Sequence, residues 1–263
     1  MFYPDQDAAW IARDKNMPLF YLRRLTGRER SEKANRHLAF YLAFVAGATD
    51  AGGFFAIGHY SSHMSGVISS LSSDLALGRR WLLLIGGVSV LSFFLGSFFT
   101  TLFVRWARRR ELECEYALPL IAEAALLLWF GCRGRNFAGD QAVMVTVMVL
   151  CFAMGLQNAI ITKLSDAVIR TTHLTGMVTD IGIALGRIVS SRWRNTDVET
   201  AREIDTVFLL SSLIGLFLAG GVMGTLGFRH IGFLFAVPLA MVLLLLAGLP
   251  VVDDVRRREG VEP

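Results

Sequence analysis

Apolar residues fall in long blocks along this chain. Six stretches, at about His37–Ile57, Trp81–Val104, Tyr116–Cys132, Ala142–Ile161, Thr206–Phe228 and Ile231–Leu249, carry few or no charges. Runs of roughly 17–25 such residues are what a helix needs to cross about 30 Å of hydrocarbon. Two further segments break the pattern. Gly58–Gly78 and Thr162–Gly186 are too polar for a lipid-facing span and too apolar for an ordinary loop. The first contains His63-Met64-Ser65-Gly66 and the second His173-Leu174-Thr175-Gly176, and each is followed about a dozen residues later by Leu-Gly-Arg (Leu77–Arg79, Leu185–Arg187).

The echo extends beyond these motifs. Ala46–Ala51 lies over Met154–Ala159, placing Asn158 opposite Asp50. Leu95-Gly96 lies over Ala219-Gly220, and Leu118-Pro119-Leu120 over Val237-Pro238-Leu239. Several pieces in one order point to an internal duplication. With three spans per half, the second half enters the membrane the other way up. The expected fold is an all-α membrane protein: six transmembrane helices as two inverted three-helix repeats, each with a short re-entrant or half-helix segment. The expected organisation is a basic, amphipathic cytoplasmic segment over 1–37, repeats over 38–132 and 142–249, and a cytoplasmic tail over 250–263.

Charge agrees with that topology. Lys and Arg number eight in 1–37, four in 105–110, six in 163–202 and three in 256–258, while only Arg79, Arg80, Arg133, Arg135 and Arg229 fall on the other side. The positive-inside rule therefore puts both termini in the cytoplasm. The net charge of +4 is spent on these flanks, without the basic, aromatic-interleaved stripe of a nucleic-acid binder. Three cysteines with no Cys-x-x-Cys spacing exclude a disulfide framework and a cysteine zinc site, and Cys132 and Cys151 read as small apolar fillers. No cofactor or metal is expected, and the histidines lack zinc-ligand spacing.

The polar segments carry the candidate chemistry. About fourteen residues from Met64 to Leu77 make roughly 20 Å of helix, enough for a half-helix. Residues 58–63 are expected to dip inward as extended chain, with half-helices over 65–77 and 172–185 capped by Ser65 and Thr175. Their N-termini, each partly positive and rich in free N–H groups, would then meet at the centre and favour an anionic or strongly polar solute. Asp50, His63, Ser65, Gly66, Gln157, Asn158, Thr172, His173, Thr175 and Gly176 are the expected solute-binding residues. Asp50 and Glu123, carboxyls within apolar spans, are the proton-coupling candidates. For Asp50 with Asn158, the competing reading is a polar clamp between the halves. For the histidine pair, it is two helix-entry residues bonded to backbone.

Gly47-x-x-Asp50, His63–Gly66, Gly155-Leu156-Gln157-Asn158-Ala159 and Thr171-Thr172-x-x-Thr175-Gly176 together resemble the bacterial YoaK-type family of multi-span inner-membrane proteins of unknown function. The likeness covers about residues 37–250. The family's first motif reads Met-Thr-Gly-Asn, where this chain has Met64-Ser65-Gly66-Val67. The resemblance implies a bacterial inner-membrane location and small-molecule transport, with no substrate attached.

The expected function is a transporter or channel for a small polar, preferably anionic, solute held near the midplane between the two half-helix ends. Its partners would be the lipid bilayer and that solute, with a homo-oligomer left open. Two alternatives use the same residues differently. One is a membrane-embedded enzyme with His63, His173 and Asp50 as acid–base groups, although no Ser-His-Asp, His-Glu-x-x-His or phosphate-cradling motif is present. The other is a non-transporting structural or partner-binding protein built around the N-terminal segment.

Overall fold

The computed structural model describes residues 32–58, 60–112, 115–134, 139–164, 173–191 and 197–258. Among them every regular element is helical. In chain order these are α1 (Glu32–Ile57), α2 (Met64–Ala76), α3 (Arg80–Arg109), α4 (Ala117–Arg133), α5 (Gly139–Leu164), α6 (Leu174–Ser191), α7 (Asp197–Ile231), a 3-10 turn (Gly232–Phe235) and α8 (Ala236–Arg258). Each apolar stretch read from the sequence falls on a helix. Arg80–Arg109, Gly139–Lys163 and Thr200–Gly248 are long and apolar enough to cross a membrane, the last running through α7 and α8. The outer face of α3 shows why water is the wrong solvent: Leu91, Phe94, Phe98, Leu102 and Trp106 are exposed along one side. A contiguous apolar face of this kind needs a cover, and hydrocarbon supplies it. These helices mark the chain as a membrane protein.

The broadest packing is α1 on α7 and α3 on α5, followed by α4 on α8, α6 on α7 and α2 on α3. Both broad contacts use one device. A Cβ at Gly47 (α1) would overlap the carbonyl of Phe217 (α7), and one at Gly220 (α7) would overlap the carbonyl of Phe44 (α1). On the other contact, Gly155 (α5) meets the carbonyl of Phe93 (α3), and Gly96 (α3) meets the carbonyl of Phe152 (α5). Hydrocarbon offers no hydrophobic drive between helices, so small residues that let backbones touch supply the van der Waals attraction. The α3/α5 contact adds two hydroxyl bonds, from Ser97 Oγ to the Gly155 carbonyl and from Thr100 Oγ1 to the Leu156 carbonyl, each 3.1 Å. At the matching places on α7 stand Gly221, near the Gly47 carbonyl, and Gly224, which lies against the backbone of Ala48. The main core gathers Leu42, Leu120, Phe130, Leu213 and Leu243 from α1, α4, α7 and α8, all essentially without exposure.

Several expectations are corrected here. The helices expected over 65–77 and 172–185 run over Met64–Ala76 and Leu174–Ser191. The first, 13 residues or about 20 Å, has the expected length; the second, 18 residues or about 27 Å, is longer. The fifth apolar stretch begins at Thr206, but its helix starts earlier, at Asp197, within charged sequence. Ion pairs hold that extension: Arg187 Nη1 lies 3.0 Å from Glu203 Oε1, and Arg36 makes two hydrogen bonds to Asp205. Ser191 Oγ and Thr200 Oγ1 are 2.8 Å apart. Cys151 is buried, as a filler should be, whereas Cys132 is exposed. The N-terminal segment lies outside the described residues except for 32–37.

Candidate functional site

α1 stays helical through Asp50 and ends at Ile57, just before Gly58, whose φ of +74° lets the chain leave the helix. The chain then doubles back so that Asp50 can bind it. Asp50 Oδ1 accepts from the Ser61 amide (2.7 Å), the Ser61 hydroxyl (2.9 Å) and the Ser62 amide (2.8 Å). A buried carboxylate with three donors is stable where a bare one would not be. Asp50 is thus a clamp, but within its own half: it fixes the turn that launches α2 and does not bond Asn158 across the molecule.

α2 and α6 begin alike. The His63 carbonyl accepts the first intrahelical bond from Val67, and the His173 carbonyl accepts from Met177, both at 3.0 Å. The histidines therefore occupy the cap positions expected for Ser65 and Thr175, which fall instead within the first turn. The His63 side chain makes no capping hydrogen bond; its ring lies over Gly66, where a Cβ would overlap it. The amides of Ser65 and Gly66, and of Thr175 and Gly176, therefore lie ahead of their hydrogen-bond ladders.

These two starts open into one cavity of about 720 Å³. Asp50, His63, Ser65, Asn158, His173, Thr175 and Gly176 line it, so seven of the residues singled out from sequence are brought together. A Cβ at Gly176 meets nothing within 4 Å, leaving room beside the backbone of α6. Three singled-out residues are elsewhere or undescribed. Gly66 lines a neighbouring cavity, Gln157 is fully buried with neither amide atom hydrogen-bonded among the described residues, and Thr172 lies outside them. Glu123, the second coupling candidate, is fully buried on α4, with neither oxygen bonded among the described residues. Thr49, opposite Gln157 in the sequence alignment of Ala46–Ala51 with Met154–Ala159, is likewise buried with its hydroxyl unbonded among the described residues.

The sequence reading missed Tyr60, Ser62, Phe93 and Phe217 in the lining. The two phenylalanines are matched, each three residues before a close-contact glycine (Phe93 and Gly96, Phe217 and Gly220). That shared Phe-x-x-Gly was the available signal. Their backbones meet Gly155 and Gly47, so the helix contacts that join α1 to α7 and α5 to α3 also set the walls of the cavity.

Chemically, the cavity offers hydroxyls, two imidazoles, one carboxylate already holding three donors, and two helix N-termini, each worth about half a positive charge. Among the described residues no group of three or more His, Cys, Asp or Glu is placed to hold a metal ion.

The family described as "Protein of unknown function (DUF1275)" matches residues 38–249 of the chain. No curated protein matches it, and no solved structure does.

Proposed function

The chain belongs to the family of proteins of unknown function DUF1275, and from that premise we propose that it is an integral membrane transporter or channel for a small polar, anionic solute. The solute sits between the starts of α2 and α6, held by amides and hydroxyls at Ser65 and Thr175–Gly176, with Asn158, His63 and His173 around it. The observation that carries this reading is the single cavity lined from both helix starts at once. Half-helix N-termini converging at mid-membrane are a recurrent way to bind anionic groups in transporters.

The architecture we propose around it is six spans as two inverted repeats, with α1–α4 repeated as α5–α8. The reciprocal contacts of Gly47 with Phe217 and Gly155 with Phe93, and of Gly96 with Phe152 and Gly220 with Phe44, support it. A two-fold relation exchanges the members of each pair of contacts. The distribution of Lys and Arg supports cytoplasmic termini in a bacterial inner membrane of the YoaK type. Glu123 is the favoured coupling carboxyl, since Asp50 Oδ1 is committed to the turn before α2 while Glu123 is buried and unbonded.

Flux in proteoliposomes with a panel of small anions tests this. Uptake by the wild-type protein and its loss in Gly176→Leu, with both eluting as the same folded species, is the expected result. No flux of any solute through well-folded wild-type protein would overturn it. Glu123→Gln should uncouple uptake from an imposed pH gradient while leaving counterflow intact.

A further inference from the structure

A second cavity, of about 540 Å³, lies between α2 and α3 and shares Tyr60 and His63 with the central one. Its walls are rich in hydroxyls, with Ser69, Ser70, Ser73 and Ser89. Asp74 also lines it, buried and 3.7 Å from the half-exposed Arg79 in the turn that follows α2. A hydroxyl-lined hollow with a half-exposed ion pair, opening toward the end of α2, is not a packing fault in an apolar interface. It is wettable space.

The other half keeps Thr179 and Asp180 opposite Ser69 and Ser70 but has apolar side chains at other positions of this lining. In the register that pairs His63 with His173, the α2 residues Val67, Leu71 and Asp74 correspond to Met177, Ile181 and Ala184. In the register that pairs Gly96 with Gly220, Gly86 and Ser89 correspond to Leu210 and Leu213. Met177, Leu210 and Leu213 are buried in the main core, with Ile181 packed against it. Gly86, Ser89 and Asp74 thus line an open hollow on one side, where the counterpart positions carry Leu210, Leu213 and Ala184. The residues common to the two cavities are Tyr60, stacked on Phe54 at 4.3 Å, and His63, whose ring lies over Gly66.

We infer that the α2/α3 cavity is a water-filled access route from the Arg79 face to the central cavity, with Tyr60 and His63 as its gate. The structure is thus open toward the Arg79 face and closed on the other by Leu210 and Leu213. The paired charges of Asp74 and Arg79 select for polarity and leave the choice of sign to the central cavity. This deepens the transporter reading and rests on it for the identity of the passing solute, but the route itself is testable without transport.

The test is thiol accessibility in sealed vesicles of known orientation, using protein in which Cys114, Cys132 and Cys151 are replaced by alanine. Single cysteines are then placed at Ser73, Leu213 and Thr175 and exposed to a membrane-impermeant thiosulfonate from either face. Ser73→Cys and Thr175→Cys should label from the Arg79 face and not from the opposite one, and Leu213→Cys from neither. Adding Gly86→Leu, whose Cβ would press on the Leu71 side chain, should abolish labelling of Thr175→Cys. Ser73→Trp, which adds bulk from α2, provides the same block should Gly86→Leu not fold. Unlabelled Ser73→Cys, or labelling of Thr175→Cys that survives a well-folded block, would overturn the route. Flux with Ser73→Cys unlabelled would sink the route and spare the transporter; labelling without flux would do the reverse.

Discussion

The α1/α7 and α3/α5 contacts are built on one plan and finished differently. Both place a glycine from each helix on a phenylalanine carbonyl of the other. Beyond that shared centre, α3 brings Ser97 and Thr100 to bond the α5 backbone, while α7 brings Gly221 and Gly224, the latter against the backbone of Ala48. The difference shows two ways of holding helices together in lipid, by hydrogen bond and by approach. Under the duplication we propose, the glycines at the crossing were kept and the polar equipment around them diverged.

The largest effects should come from the shared centre. Gly96→Val and Gly220→Val each drive a side chain into backbone that cannot yield. Overpacking in cores costs about 1–3 kcal/mol and sometimes more, and rigid carbonyls put these two at the upper end. Both should lose monodisperse protein on size exclusion; if one is tolerated and the other is not, the equivalence of the contacts is broken. Next comes Asp50, where the halves part company. Asp50→Ala strands the donors of Ser61 and Ser62 and should cost about 1.5–3 kcal/mol, while Asn158→Ala costs less; thermal unfolding in detergent ranks the two. A smaller effect separates the two finishes. Thr100→Ala removes one interhelical bond, worth about 0.6 kcal/mol on average in membranes, whereas Gly224→Ala forces a Cβ into the backbone of Ala48 and should be the worse of the pair. The smallest is Gly176→Leu, which should leave stability unchanged and remove solute flux, since its side chain enters open space.

Much of this was legible in the chain because the bilayer imposes strong constraints. Apolar runs had to be helices, and a carboxyl inside one, such as Asp50, had to face the protein interior. The lining aromatics were less visible. Phe93 and Phe217 sit in Phe-rich helices whose neighbours, such as Phe94 and Leu218, are exposed, and only the phase of the helix separates the two kinds. Cap assignment failed for a local reason: hydroxyl-Gly pairs suit a helix start, but the turn held by Asp50 begins α2 one residue earlier, at Met64. The charged start of α7 falls outside the apolar stretch that begins at Thr206. Its partners Arg36 and Arg187 lie far away in sequence, so nothing nearby announced the helix.

The convergence of α2 and α6 on one cavity can be measured without knowing any substrate. In cysteine-free protein carrying Ser65→Cys and Thr175→Cys, pulsed electron–electron resonance between spin labels, or bridging by short bifunctional thiol reagents, reports their separation. The expected result is a narrow distribution well under the roughly 30 Å hydrocarbon thickness, with efficient bridging. A separation comparable to that thickness, with no bridging in folded protein, would place the two helix starts near opposite membrane surfaces and contradict the account at its centre.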